Sequence, residues 1–123
     1  MFEELKQPGR FCWNELMTSD VAGAKRFYGE LFGWEMEEST CGGADYITLK
    51  VNGDEIGGIT AATDEMPPIW GGYVTVSDVD ASAAKAVAMG GSICVPIQDI
   101  PDGRFCMIKD PQGAMLSLFS HSG

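Results

Sequence analysis

A carboxylate and an aromatic ring stand two residues apart near the start of the chain, at Glu15 and Trp13. Because side chains alternate across a strand, this spacing places both groups on one face. A carboxylate on an aromatic face can act as a general base or accept a hydrogen bond from a bound molecule. Arg104, in a later strand-like segment, supplies a guanidinium suited to holding an anionic group. These residue types predict a small-molecule site with Glu15 as its catalytic candidate.

Histidine and cysteine usage restricts the other chemistries. His121 is the only histidine, and we expect it on a frayed C-terminal tail. This disfavours His-rich metal sites and Ser-His-Asp or Cys-His catalytic sets. The four cysteines show no CxxC spacing, and Cys12, Cys94 and Cys106 lie in apolar runs typical of buried thiols. Without a signal sequence we expect them reduced, in the cytoplasm.

The charge balance excludes two classes of partner. The 123 residues contain 8 Lys and Arg against 18 Asp and Glu, giving a net charge of −10. Nucleic-acid binding needs clustered cations, and an anionic membrane surface repels an acidic protein. The sequence therefore predicts neither a nucleic-acid partner nor a membrane partner.

The first half of the chain predicts one strand, one helix and three further strands. Thr18, Ser19 and Asp20 offer N-caps for the helix, which ends at Gly33. Its apolar residues follow helical spacing and form one face: Ala24, Phe27, Tyr28, Leu31 and Phe32. Asn52 and Gly53 predict a tight hairpin between the last two strands. The strands are expected at 11–17, 34–39, 46–51 and 55–60.

The second half repeats this plan. Ser19-Asp20-Val21 recurs as Ser77-Asp78-Val79, 58 residues later, so Gly33 corresponds to Gly91. A helix is expected at 79–89, and the turn at 110–113 has the Pro and Gly of a type I turn. A linker at 64–68 separates two modules, about 8–62 and 67–121, of a single domain spanning 1–123. The strands are expected at 71–76, 92–97, 104–109 and 114–120.

Strand alternation sorts these side chains onto two faces. The hairpins predict Tyr46 opposite Ile59, Thr48 opposite Gly57, Arg104 opposite Phe119, Cys106 opposite Ser117 and Ile108 opposite Met115. One face is aliphatic and should pack under the helices; it includes Leu16, Ile47, Leu49, Phe105, Met107 and Leu118. The other face mixes rings with polar groups, as ligand pockets do. Its predicted ligand-binding residues are Trp13, Tyr46, Thr48, Tyr73, Arg104, Cys106, Ser117 and Phe119. The alternatives for such a face are simple exposure to solvent and a contact between two copies.

Several segments resemble the vicinal oxygen chelate superfamily of glyoxalases, bleomycin-resistance proteins and extradiol dioxygenases. They are VAGAKRFYGELFGWEM, PPIWGGYVTVSDVDASAAKAVAMGG, PDGR and DPQGAMLSLF. The resemblance implies an α+β fold in which two βαβββ modules form a curled mixed sheet with a ligand cup. It also implies a homodimer. The chain looks like a single-domain version of glyoxalase-like proteins built from two tandem domains.

The resemblance also bears on metal binding. Family members hold a divalent metal on His and Glu or Gln side chains, but the corresponding positions here are Trp13, Ile59, Gly71 and Ser117. These residues are poor ligands for divalent metals. We therefore predict no cofactor and regard a divalent metal as disfavoured.

Three functions remain open at this point. The first is a metal-independent protein that binds a small aromatic or anionic metabolite. The second is a glyoxalase-, dioxygenase- or lyase-type enzyme that uses Glu15 or a non-standard metal site. The third is a dimeric interaction module without a ligand.

Overall fold

The structure, a computed structural model, describes residues 6–41, 44–62 and 67–121, with the backbone alone at 40–41 and 44–45. The described residues form eight strands and two helices, which confirms the predicted α+β class and the strand–helix–three-strand repeat. In chain order they are β1 (Phe11–Thr18), α1 (Val21–Phe32), β2 (Glu35–Cys41), β3 (Ala44–Val51), β4 (Asp54–Ala61), β5 (Ile69–Thr75), α2 (Val79–Ala88), β6 (Ser92–Ile100), β7 (Gly103–Lys109) and β8 (Met115–His121). The predicted linker at 64–68 lies mostly outside the described residues, as does the side chain of Cys41. Neither described helix is long and apolar enough to cross a membrane.

Both helices begin where the repeated Asp predicts. The Asp20 carboxylate accepts a hydrogen bond from the Gly23 N–H at 2.9 Å, and Asp78 accepts one from the Ala81 N–H at 3.1 Å. Each bond satisfies one of the unpaired amides at a helix start. Helix α1 ends at Gly33, whose φ of 68° is left-handed.

The chain divides into two compact units. The first unit comprises Trp13–Gly71, and its strands lie in the order β2-β3-β4-β1, with β1 parallel to β4 and the other pairs antiparallel. Four buried residues form its core: Leu16, Ile47, Leu49 and Ile59. Helix α1 covers this core with Val21, Ala24 and Tyr28.

The second unit comprises Met1–Cys12 and Gly72–Gly123. Its strands lie in the order β5-β8-β7-β6, with β5 parallel to β8 and the remaining pairs antiparallel. Its core combines two residues of α2 with two of the sheet: Val79, Ala83, Cys106 and Leu118. Each unit therefore has one mixed sheet packed against one helix.

The first hairpin has the predicted turn but a shifted register. Asn52 and Gly53 both have positive φ, as a type I′ turn requires. A bulge then lets Ile56 stand between the pairs Lys50–Glu55 and Leu49–Gly57. Tyr46 consequently lies opposite Thr60 and Thr48 opposite Gly58, so the predicted pairings with Ile59 and Gly57 are wrong. The shift places Ile59 in the core, fully buried.

The second hairpin is one residue out of the predicted register. Its loop includes Ala114, whose N–H donates to the Asp110 carboxylate at 2.9 Å. Because the loop is one residue longer than a four-residue turn, β7 faces the opposite way. The observed pairs are Arg104–Ser120, Cys106–Leu118 and Ile108–Leu116, and the predicted pairings with Phe119, Ser117 and Met115 are wrong. Phe105 and Met107 share the face of Phe119 and Ser117 instead.

Candidate functional site

Three side chains of the first unit form a connected hydrogen-bond network. The Trp13 indole N–H donates to the Tyr46 hydroxyl oxygen at 2.9 Å. The Tyr46 hydroxyl in turn donates to Oε2 of Glu15 at 2.7 Å. Strand β1 places Trp13 and Glu15 on one face, as their spacing predicts, and β3 brings Tyr46 across to them. All three side chains are half-buried, so the network is partly exposed to solvent.

Gly58 leaves the space that the Tyr46 ring needs in order to reach Glu15. Strand β4 lies between β3 and β1, and Gly58 pairs with Thr48 on one side and Glu15 on the other. A Cβ at position 58 would overlap the hydroxyl and Cζ of Tyr46. The tyrosine therefore reaches Glu15 only because residue 58 has no side chain. We call the surface formed by Trp13, Glu15, Tyr46, Thr48 and Gly58 the Trp13 face.

Three further predicted residues share a face in the second unit. Tyr73 pairs with Ser117 across the parallel strands β5 and β8, and Phe119 lies opposite Thr75. Ser117 and Phe119 are buried, and the Tyr73 ring contacts the Phe105 ring with centroids 6.1 Å apart. The structure thus groups Tyr73, Ser117 and Phe119 as the sequence predicts.

Arg104 does not lie on that face. Its guanidinium donates to both carboxylate oxygens of Asp80 in helix α2, at 2.9 and 3.0 Å, and to Asp99 at 2.8 Å. These bonds lower the pKa of the Asp80 carboxyl and raise the pKa of Arg104. The predicted placement of Arg104 beside Phe119 is wrong because β7 faces the opposite way.

Cys106 is displaced for the same reason. Its side chain is fully buried in the core of the second unit, against α2. Burial raises the pKa of the Cys106 thiol, with smaller effects from Cys94 and Asp80. A raised pKa lowers the thiolate fraction, so the placement does not suit a nucleophile. Cys12 is buried as predicted, whereas Cys94 is exposed.

Comparison with known proteins places the chain in a family. The family model described as Glyoxalase/Bleomycin resistance protein/Dioxygenase superfamily matches residues 10–118. The chain belongs to this superfamily. The resemblance drawn from the sequence is thereby confirmed.

Two curated relatives and one solved structure illustrate the likeness. "Putative glyoxylase CFP32" of Mycobacterium bovis is 40% identical over 114 residues, covering 87% of this chain and 44% of the relative. "Anthracycline biosynthesis protein DauV" of Streptomyces sp. (strain C5) is 30% identical over 113 residues, covering 90% and 41%. The chain therefore spans less than half the length of these curated relatives. A methylmalonyl-CoA epimerase from Mycobacterium tuberculosis has the same fold, with a TM-score of 0.65 at 17% identity over 100% of this chain and 94% of that one.

The superfamily's divalent metal does not fit the residues at its expected positions. Ile59 is apolar and fully buried in the core, and the Trp13 N–H is directed at Tyr46. Gly71 has no side chain, and Ser117 offers one hydroxyl. Among the described residues, no three His, Cys, Asp or Glu side chains are grouped to hold a metal ion. The residues at these positions therefore support no metal-dependent step, and the absence of a metal stays a prediction.

Sequence reasoning missed a hydrogen-bonded group at the end of the second unit. His121 pairs with Gly103 in the sheet, and its Nε2 lies 3.1 Å from the Thr75 hydroxyl. Its ring also contacts Phe119 edge-on, at 4.7 Å between centroids. The expectation of a frayed tail at His121 is therefore wrong. Thr75 also hydrogen-bonds Cys12, whose pKa is raised by burial and lowered less by that bond.

Helix α1 carries a second feature that its periodicity did not reveal. The rings of five residues in the first unit contact one another and form what we call the aromatic cluster: Phe27, Tyr28, Phe32, Trp34 and Trp70. The Trp70 indole N–H donates to the Tyr28 hydroxyl at 3.2 Å. Phe27, Phe32 and Trp70 are 59%, 56% and 40% exposed, so several residues of the predicted apolar helix face are open to solvent. Only part of that face covers the core.

Proposed function

We propose that the Trp13 face binds a small molecule with an aromatic or apolar body, without help from a metal. The observation that carries this proposal is the chain of hydrogen bonds from Trp13 through Tyr46 to Glu15. Such a chain fixes two ring faces and a carboxylate in a half-buried position, and orienting a few polar groups among rings is how ligand pockets gain specificity. Thr48 lies next to Gly58 on the same face and adds a hydroxyl.

A ligand-binding role for three residues of the second unit also stays a prediction: Tyr73, Ser117 and Phe119. Their shared face supports that role. Arg104 and Cys106 are not proposed as ligand contacts, because both lie against helix α2. The cytoplasmic location also stays a prediction.

Tryptophan fluorescence tests ligand binding directly, because the chain has three tryptophans and only one lies on the Trp13 face. In a variant with Trp34→Phe and Trp70→Phe, emission reports on Trp13 alone. A screen of metabolites should give saturable changes in this variant. The matched control, Trp13→Phe with Trp70→Phe, retains only Trp34 and should not respond. A flat response from Trp13 across the whole screen would remove the proposal's main support.

Catalysis by Glu15 is a second candidate. The Tyr46 hydroxyl holds one carboxylate oxygen in place, as the positioning of a general base requires. The mycobacterial relative carries the name of a glyoxylase. The test is activity of the purified protein on lyase and dioxygenase substrates, before and after adding Ni, Zn, Fe or Mn. Loss of any activity in Glu15→Gln would support the role, and unchanged activity would exclude it.

Assembly of two copies is a third candidate, and the aromatic cluster favours it. Monomeric proteins rarely leave several adjacent rings this exposed, and two-fold dimers are the commonest homo-oligomers. Sedimentation of the wild-type chain should show a dimer, and Phe27→Glu should shift it to the monomer. A wild-type monomer at high protein concentration would contradict this candidate.

A further inference from the structure

We propose that the ligand of the Trp13 face is an organic cation, a protonated amine attached to an aromatic or apolar body. This inference rests on the proposed function and adds the charge of the ligand to it. It replaces the sequence-based expectation of an anionic ligand, which depended on Arg104.

The direction of the hydrogen bonds supplies the first argument. An indole has one N–H and a phenol has one O–H. Trp13 gives its proton to Tyr46, and Tyr46 gives its proton to Glu15. Neither group retains a proton for an anionic ligand. This chain of donated protons therefore leads to an acceptor, the Glu15 carboxylate.

The arrangement of rings and charge supplies the second argument. A carboxylate has two oxygens with about four acceptor sites, so it can accept an N–H from an ammonium group as well as the Tyr46 hydroxyl. Charge-assisted bonds of this kind are stronger than neutral ones. The faces of Trp and Tyr rings also attract cations, and Trp does so most strongly. A carboxylate with Trp13 and Tyr46 beside it thus has the groups that recognise an ammonium ion.

The ion pairs of three of the chain's eight Lys and Arg residues supply the third argument. Arg104 is engaged by Asp80 and Asp99 on the side of helix α2. Two lysines of the first unit form ion pairs with glutamates of β2, Lys25 with Glu38 and Lys50 with Glu37. With a net charge of −10, the chain as a whole attracts cations and repels anions.

Three small probes of similar shape and different charge test the inference: 2-phenylethylamine, 2-phenylethanol and 3-phenylpropionate. Binding is followed by the fluorescence of Trp13 in the Trp34→Phe, Trp70→Phe variant at neutral pH. We expect the amine to bind about tenfold or more tightly than the alcohol, as a hydrogen bond to a charged group implies. The anion should bind most weakly, and of the three probes only the amine should lose affinity when salt is added.

The Glu15→Gln substitution, made in the same background, separates binding of the amine by the Glu15 carboxylate from its attraction to the net negative charge of the chain. It should abolish the preference for the amine over the alcohol. Asp102→Asn is the matched control, because it removes the same charge from an exposed position in the second unit and should keep the preference.

The outcomes distinguish the two proposals. If the probes bind with equal affinity, or the anion binds best, the inference about charge is overturned while ligand binding stands. Preference for the amine that survives in Glu15→Gln also overturns it. If neither these probes nor any screened metabolite alters Trp13 emission, both the inference and the proposed function fail.

Discussion

Replacing Gly58 with alanine should break the network on the Trp13 face. A Cβ at this position overlaps the hydroxyl and Cζ of Tyr46, so the ring has to move away from Glu15. The backbone itself tolerates alanine, because Gly58 is not among the residues with positive φ. The substitution therefore acts through the displacement of one side chain, so the loss in the free energy of unfolding can be assigned to the bonds of Tyr46.

The expected cost follows from the bonds that would be lost. The bond from Tyr46 to the Glu15 carboxylate contributes about 1.5–3 kcal/mol and the neutral bond from Trp13 about 0.5–1.5 kcal/mol. Alanine offsets about 0.4–1 kcal/mol of this loss, because it reduces the conformational entropy of the unfolded chain. Because the three side chains are half-buried and water can replace part of the bonding, we expect a net loss near the lower end, about 1–2 kcal/mol.

Urea denaturation of four proteins measures this loss: the wild type, Gly58→Ala, Tyr46→Ala and the double variant. In the Tyr46→Ala background the overlap is absent, so Gly58→Ala should be neutral or slightly stabilising. Gly71→Ala is the matched glycine control, since a Cβ there meets its nearest atoms at 3.9 and 4.0 Å, which is ordinary contact. An equal cost of Gly58→Ala in both backgrounds would refute the reasoning.

Two other predictions concern the second unit. Arg104 lowers the pKa of Asp80 below its ordinary value of 3.8, so their bond should stabilise the fold above that pH and lose its effect as the pH falls further. Asp80→Asn should therefore flatten the acid side of the stability curve measured by thermal unfolding, and an unchanged curve would contradict the assignment. Alkylation followed by peptide mapping should label the exposed Cys94 before the buried Cys12 and Cys106. Equal labelling rates would contradict their burial.

The helix starts could be predicted because they are encoded locally. Asp20 and Asp78 each cap a helix through a bond to the residue three positions later, and their spacing of 58 residues revealed the repeat. The Asn52-Gly53 turn is equally local. These features depend on a few adjacent residues, so the sequence alone carries the information.

Strand faces were harder to predict because one residue reverses them. The bulge at Ile56 and the inclusion of Ala114 in a loop each shift a register by one residue. Neither change has a strong sequence signal, and each alters which side chains meet. The observed register around Ala114 takes Arg104 and Cys106 out of the predicted site, and without Arg104 the site no longer favours an anionic ligand.

Tertiary placement accounts for the remaining differences. Helical spacing shows that Phe27 and Phe32 lie near Tyr28, but it does not show which of them the sheet covers. The role of Gly58 likewise depends on Tyr46 crossing from a neighbouring strand. The adjacent pair Gly57-Gly58 within a strand was the signal available, since glycine in a strand often marks a close approach.

Mapping a bound probe onto the protein by NMR tests the central claim most directly. The account predicts that 2-phenylethylamine shifts the backbone amide signals of the Trp13 face, above all those of Glu15, Tyr46 and Gly58. It predicts little change beside the open groove of about 380 Å³ between α1 and β2, which Lys25 and Trp34 line. Shifts confined to that groove, with the Trp13 face unaffected at saturation, would contradict the claim.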